Sequence, residues 1–197
     1  MMQPVVQELP PSAPRQGNAL TRWLGRAILR VTGWRVAGTF PDLPRMVIII
    51  APHSSFWDGI WGIAGMLALG VRIEFMIKAE LFKGSLGWFL RLIGGIPINR
   101  SRAHGTVEQA VARLQRDEPT WLLIAPEGTR RRVEHWKNGF RRIALGANVP
   151  VLCTYFHYPD RTMGLGELME LSDDEAADMA KLREWYRPYM GKNRGTI

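Results

Sequence analysis

The chain has 197 residues, a net charge of +8, one cysteine and eight tryptophans. The length suits one α/β domain with a full core, and a single cysteine excludes an intrachain disulfide and a cysteine-based metal site. The charge asks for an anionic partner: nucleic acid, an acidic lipid surface or a phosphorylated substrate. The opening Met-Met-Gln-Pro lacks the basic and apolar segments of a signal peptide. No stretch reaches the roughly 18 uncharged apolar residues of a spanning helix, so a soluble or peripheral protein is expected.

Residues 1–17 hold four prolines and no periodic pattern, which predicts a mobile tail ahead of a single domain over 18–197. Asn18 can cap a helix to about Thr32, ended by Gly33. Its apolar positions are Leu20, Trp23, Leu24, Ala27, Ile28 and Val31, while Arg22, Arg26 and Arg30 recur on another face. An amphipathic helix over 18–33 can lie in a membrane interface or cover the sheet, and the pattern leaves both open. Trp34 to Val36 reads as a short strand and Pro41 to Pro44 as a turn.

Val47 to Ile50 is an unbroken β-branched run, the pattern of a strand buried on both faces. Pro52 ends it. His53 stands at the strand's mouth, and Asp58 follows five residues later. Ser54 or Ser55 can cap a helix from Phe56 to about Leu69. In open α/β sheets ligands bind at the carboxyl ends of strands. An imidazole there can take a proton from a hydroxyl, and a carboxylate on its other nitrogen would fix the tautomer. The same residues also read as a plain capping box, Ser55 with Asp58, beside a loop histidine.

Arg72 to Lys78 reads as a second strand, 80–93 as a helix apolar around much of its circumference, and Ile96 to Asn99 as a short strand ending at Arg100. Thr106 to Gln115 is an amphipathic helix. Thr120 to Ala125 is another buried strand, stopped by Pro126 as Pro52 stops the first, and Glu127-Gly128-Thr129-Arg130 emerges at its end. Gly128 lets backbone approach a ligand closely, and Arg130 and Arg100 can grip a phosphate. The run Arg130, Arg131, Arg132, Lys137, Arg141 and Arg142 reads equally as a solvated basic face. Phe140 to Ala147 is a short helix and Val149 to Phe156 a strand. Thr162 to Leu171 is a hairpin or irregular edge, and Ser172 caps a last helix to about Tyr186. Strands alternating with helices predict one α/β domain with a mainly parallel mixed sheet flanked by helices.

From about Trp34 to Val151 the chain resembles the glycerolipid acyltransferases, which include the 1-acyl-glycerol-3-phosphate acyltransferases, and its small bacterial members in particular. Four ordered blocks carry the resemblance: the H-x4-D pair His53 and Asp58 in Ala51-Pro-His-Ser-Ser-Phe-Trp-Asp58, then Gly95-Ile-Pro-Ile-Asn-Arg100, Pro126-Glu-Gly-Thr-Arg130 and Val149-Pro-Val151. Lys78-Ala-Glu-Leu81 and Trp136-Lys-Asn-Gly139-Phe add to it. Asn99 departs from the pattern, in which an acidic residue commonly precedes the arginine of the second block.

The resemblance implies a phospholipid-biosynthetic acyltransferase that moves a fatty acyl group from a thioester to the free hydroxyl of a lysophospholipid, foremost 1-acyl-glycerol-3-phosphate. His53 would be the general base and Asp58 its orienter. Arg100, Glu127, Gly128, Thr129 and Arg130 would hold the acceptor phosphate, and Lys78 is a further substrate-binding candidate. Backbone N–H groups near the helix start would stabilise the oxyanion. No cofactor or metal is implied beyond the co-substrate, acyl-CoA or acyl carrier protein. The expected place is the cytoplasm, peripheral on the anionic cytoplasmic face of the inner membrane.

Other readings fit less well. Ser54 stands where a condensation-type His-His-x-x-x-Asp motif needs its second histidine. Lys83-Gly-Ser-Leu-Gly87 lacks the first glycine of a hydrolase elbow. Gly164-Leu-Gly166 lacks the third glycine of a dinucleotide fingerprint. A basic nucleic-acid-binding protein is the non-enzyme alternative, but no RNA-recognition signature or zinc-finger spacing supports it, and nucleic acid is not expected as a partner. Another lysolipid acceptor, such as a lyso-aminolipid, is the alternative within the same chemistry.

Overall fold

In the computed structural model, which describes residues 8–98, 103–193 and 195, the β-branched run forms strand β2 (Arg45–Ile50) at the heart of a sheet. Alternation explains why the run has no polar partner residues. Val47 and Ile49 enter one apolar cluster with Leu114, Phe140, Ile143 and Leu182; Met46 and Ile48 enter another with Phe40, Met66 and Val71. Each such side chain, taken fully out of water, contributes about 1.5–3 kcal/mol. A polar substitution at any of these positions would bury an unpaired group on one face or the other.

The remaining strands, in chain order, are β1 (Arg35–Ala37), β3 (Glu74–Lys78), β4 (Gly95–Ile98), β5 (Thr120–Ile124), β6 (Val151–His157) and β7 (Thr162–Met169). The helices are α1 (Ala19–Thr32), α2 (Phe56–Leu69), α3 (Gly84–Leu92), α4 (Ala103–Leu114), α5 (Gly139–Ala147) and α6 (Glu175–Tyr186). The sheet order is β1-β7-β6-β2-β5-β3-β4, with every pair parallel except β6 and β7. One face of the sheet carries α1 and α2, through Leu29, Ala64, Met66 and Ala68; the other carries α4, α5 and α6, through Leu114, Phe140 and Tyr186. The chain leaves β2 by α2 on the first face and leaves β5 by α5 on the second. Neighbouring strands whose connections depart on opposite faces open a crevice at their carboxyl ends. His53 and Glu127 follow those two ends, and the register sets Ile49 beside Ile124.

Several expectations need correction. Residues 9–16, expected in a mobile tail, lie against the turn after α2: Gln16 N–H donates to Gly70 O, Arg72 N–H donates to Pro14 O, and Ala13 is buried. Residues 1–7 lie outside the described residues. The expected helix over 80–93 is a single 3-10 turn, Ala79–Leu81, followed by the shorter α3, because Lys83 takes an extended conformation between them. Strand β7 does form a hairpin with β6, yet it is interior rather than an edge, since the three-residue β1 pairs along its outer side. Asp174, not Ser172, caps α6; Ser172 instead donates its N–H and hydroxyl to Asp178.

Helix α1 starts at Asn18 in a capping box with Thr21 and ends at Gly33, as its sequence predicts. Its closest packing on α2 is through Gly25 and Leu29, with Ile28 of the apolar stripe against the same cluster and the rest of the stripe largely turned away. A Cβ on Gly25 would fall 2.3 Å from Ala68 N, so only glycine permits this crossing. Arg26 Nε donates to Ala68 O at 3.3 Å, and the Arg22 side chain lies beside Gly70. Two of the three arginines therefore serve the helix contact. Trp23 is left 65% exposed and Val31 86% exposed, with Leu20 and Leu24 exposed beside them. No helix among the described residues is long and apolar enough to cross a membrane.

Candidate active site

The loop between β2 and α2 forms the capping box and brings Asp58 beside His53 at once. Ser55 Oγ accepts the Trp57 N–H at 3.2 Å, and Asp58 Oδ2 accepts the N–H groups of Ser54 and Ser55 at 2.8 and 2.9 Å. The same Oδ2 lies 3.1 Å from His53 Nδ1. A carboxylate in the first turn also suits the positive end of the helix. Asp58 therefore caps α2 and orients His53 together. A spacing of five works because His53 lies before the helix and Asp58 within its first turn.

With its Nδ1 hydrogen directed at Asp58, neutral His53 carries its lone pair on Nε2, the nitrogen a general base needs. The Asp58 side chain has no solvent exposure, whereas that of His53 retains 29%. Burial works to raise the Asp58 pKa, but hydrogen bonds from His53, Tyr158 and the Ser55 N–H outweigh it and hold the carboxyl below its ordinary range. The partner of His53 is thus an anion at neutral pH.

The end of β5 meets this loop from the side. Glu127 is buried, and its Oε2 accepts the His53 N–H at 3.0 Å, so it grips the backbone of the imidazole-bearing residue. Gly128 turns the chain at φ 65°, a conformation that penalises any residue with a Cβ. A Cβ there would also come 3.0 Å from Lys137 Cδ. Thr129 Oγ1 accepts the Arg131 N–H at 3.3 Å. Arg130 is exposed at the surface beyond.

A cavity of about 930 Å³ joins these groups. His53, Asp58, Gly128, Thr129, Arg130 and Lys137 contribute its polar lining. The rest is mainly apolar: one part lies between α2 and the sheet, with Gly59, Gly62, Ile63 and Met66 on the helix side and Ile48, Ile50 and Phe156 on the strand side, and another is lined by Val107, Phe140 and Ile143 of the cluster on the opposite face. Such a volume, apolar with a few convergent polar groups, is typical of a ligand site.

Not every predicted residue joins this cluster. Lys78 is exposed at the end of β3, beside Ile98, and is not among the residues lining the cavity. Arg100 and Asn99 lie outside the described residues. Four backbone donors near the helix start have partners within the protein: the N–H of His53 donates to Glu127, those of Ser54 and Ser55 to Asp58, and that of Trp57 to Ser55. Cys153 is buried on β6, and burial pushes its thiol up to about 12, which suits packing rather than nucleophilic attack. Among the described residues no group of three or more His, Cys, Asp or Glu side chains could hold a metal ion.

Two contacts escape motif reading. Tyr158, just past β6, donates its hydroxyl to Asp58 Oδ1 at 2.6 Å. Asn193, near the C-terminus, donates its side-chain amide to Ser54 O at 2.8 Å and its backbone N–H to Ser54 Oγ at 3.3 Å. Neither residue stands in a sequence pattern, and both reach the loop only through the fold.

The model of the acyltransferase family matches residues 38–157, more than half of the chain and all four sequence blocks. The chain belongs to the acyltransferase family. It is 26% identical over 126 residues to the 1-acyl-sn-glycerol-3-phosphate acyltransferase of Streptococcus pneumoniae R6, a match covering 64% of this chain and 47% of that relative. The chain thus spans about half the length of the curated relative it matches. Its fold is similar to the crystal structure of the 1-acyl-sn-glycerophosphate (LPA) acyltransferase PlsC from Thermotoga maritima, with a TM-score of 0.62. That structural match has 19% identity and covers 84% of this chain and 75% of the other, so it speaks to fold alone.

Proposed function

We propose that the protein transfers a fatty acyl group from a thioester, acyl-CoA or acyl carrier protein, to the hydroxyl of a lysophospholipid, with 1-acyl-glycerol-3-phosphate as the acceptor. The observation that carries this reading is the His53–Asp58 pair at the polar end of an apolar cavity whose rim bears Arg130 and Lys137. The family assignment and the curated relative support the same chemistry.

His53 Nε2 takes the proton of the acceptor hydroxyl as the oxygen forms its bond to the thioester carbonyl carbon. The imidazolium is stabilised by the anionic Asp58 beside Nδ1. When the carbon–sulfur bond breaks, the thiolate leaves and takes the proton back from His53. No acyl-enzyme is needed. The apolar cavity receives the acyl chain, and the cationic rim faces the phosphate.

The deciding experiment offers a panel of lysolipids and labelled acyl donors to the purified chain and identifies the products by mass. Lysophosphatidate should be acylated in preference to a phosphate-free lyso-aminolipid. Equal acylation of both would keep the His53–Asp58 chemistry and discard the phosphate acceptor. Arg130→Lys tests the rim directly, because an ammonium has no planar fork for bidentate contact. Losing one charge-assisted contact of about 1.5–3 kcal/mol should lower kcat/KM for lysophosphatidate roughly ten- to a hundredfold. The KM for the acyl donor should move much less. Unchanged lysophosphatidate kinetics would remove Arg130 from the acceptor site.

The substrates imply work at a lipid surface, and the exposed apolar residues supply a means. Leu20, Trp23, Leu24 and Val31 on α1, with Leu86, Trp88, Phe89 and Leu92 on α3, face outward. The proposed reading places these against an anionic bilayer, peripherally. Since Arg22 and Arg26 serve the contact with α2, the informative change is Trp23→Ser with Leu24→Ser. Burying two such side chains contributes about 3–6 kcal/mol, so sedimentation with anionic liposomes should fall by at least tenfold in partition coefficient. Sedimentation equal to that of the unaltered protein would exclude α1 from the membrane contact.

A further inference from the structure

Asp58 distributes its donors unevenly. His53 Nδ1 and the N–H groups of Ser54 and Ser55 all converge on Oδ2. Among the described residues, the hydrogen bond shown to Oδ1 comes from Tyr158, whose hydroxyl donates at 2.6 Å. Tyr158 is itself held firmly. Its ring lies edge-on to Trp34, with centroids 4.9 Å apart, and Trp34 stacks on Trp61 of α2. Its backbone N–H donates to Met190 O at 2.9 Å. A carboxylate with no solvent exposure whose two oxygens are fixed by separate elements cannot rotate to present the wrong edge to the imidazole.

We propose that Tyr158 is a positioning residue of the active site, pinning Oδ1 of Asp58 and sharing its negative charge so that Oδ2 remains aimed at His53. This rests on the reading of His53 as the general base. The phenol stays a donor across the working range, since burial and the adjacent Asp58 carboxylate push its pKa far above the ordinary tyrosine value. Other ionisable groups border the cluster. Glu127 holds the His53 backbone from β5, Arg130 and Lys137 line the same cavity, and Lys192 sits over the Trp57 ring at 4.9 Å. None of these lies between Tyr158 and Asp58.

Tyr158→Phe removes one oxygen and keeps the ring among its aromatic neighbours. Without that donor the Asp58 charge falls more heavily on Oδ2 and on its own proton affinity. Either consequence makes protonation of the pair easier, so the sign is the same. The acidic limb of the kcat–pH profile should move upward by roughly half a unit to one unit. At its plateau kcat should fall about tenfold, with the KM of both substrates within about twofold. Trp34→Phe loosens the same cluster without touching the hydrogen bond, and Trp34 is not among the cavity-lining residues. It should lower the melting temperature and leave the pH profile in place. An unmoved acidic limb in folded Tyr158→Phe, whatever happens to kcat, would mean that the phenol serves packing alone and would overturn the proposal. A profile shifted equally by Trp34→Phe would overturn it as well. Retained turnover in His53→Ala, measured alongside, would instead overturn the base assignment and is told apart by that variant alone.

Discussion

His53→Ala should abolish acyl transfer while the sheet stays folded. A positioned general base is worth roughly 10²–10⁴ in rate, and the imidazole lies in a loop with 29% of its side chain exposed, outside the buried core clusters. The measurement is thiol release from an acyl thioester at saturating acceptor, with the melting temperature recorded for each variant. Asp58→Asn should also lose most of the rate, since an amide can hold the imidazole in the wrong tautomer. The two variants should differ in stability. Asp58 accepts the N–H groups of Ser54 and Ser55 and closes the capping box of α2, so Asp58→Asn should cost about 1 kcal/mol of folding free energy as well. His53→Ala should cost less. Near-normal turnover in folded His53→Ala would remove the histidine from the chemistry. Normal turnover in Asp58→Asn with a lowered melting temperature would reduce Asp58 to its cap.

That pairing of roles shows how far the sequence reaches. Capping box and catalytic pair looked like rival accounts of Ser55 to Asp58, yet a carboxylate at the third helical position can accept backbone N–H groups and face the preceding loop together. The central strand was readable because burial on both faces leaves no place for polar residues, and Val47 to Ile50 has none. The meeting of His53 with Glu127 followed from two buried strands ended by prolines, once the strands proved to be neighbours. What the sequence withheld depends on distant packing. Tyr158 reaches Asp58 across 100 positions of chain, carried there by β6 lying beside β2. The interior place of β7 depends on a three-residue strand too short to signal itself. In α1, the close approach at Gly25 sets the packed face so that only Ile28 of the apolar stripe joins the cluster while Leu20, Trp23, Leu24 and Val31 stay exposed, a choice that hydrophobic periodicity does not encode.

The cavity beneath α2 gives the second large expectation, that under the proposed reaction Gly62→Leu selects against long acyl donors and spares short ones. Gly62 lines the cavity, and a Cβ built there meets only Phe156 Cζ, at an ordinary 3.9 Å. A leucine can therefore be accommodated by the folded protein and would extend into the apolar volume. The backbone gains as well, because replacing a helical glycine by leucine is worth roughly 0.5–1 kcal/mol in helix propensity. A long acyl chain threaded past this position would meet the new side chain, and forcing extra carbons into a filled space costs about 1–3 kcal/mol. Long-chain donors should lose roughly ten- to a hundredfold in kcat/KM. Donors of four to six carbons should keep theirs, since the His53–Asp58 pair lies at the polar end and is untouched. The measurement compares kcat/KM across a series of acyl donors for both proteins, with melting temperatures to confirm that the variant is folded. Equal slowing of short and long donors would show that the leucine disturbs the catalytic loop and not the chain's path. An unchanged chain-length profile would place the acyl chain elsewhere, leaving the cavity beneath α2 without a role in donor binding.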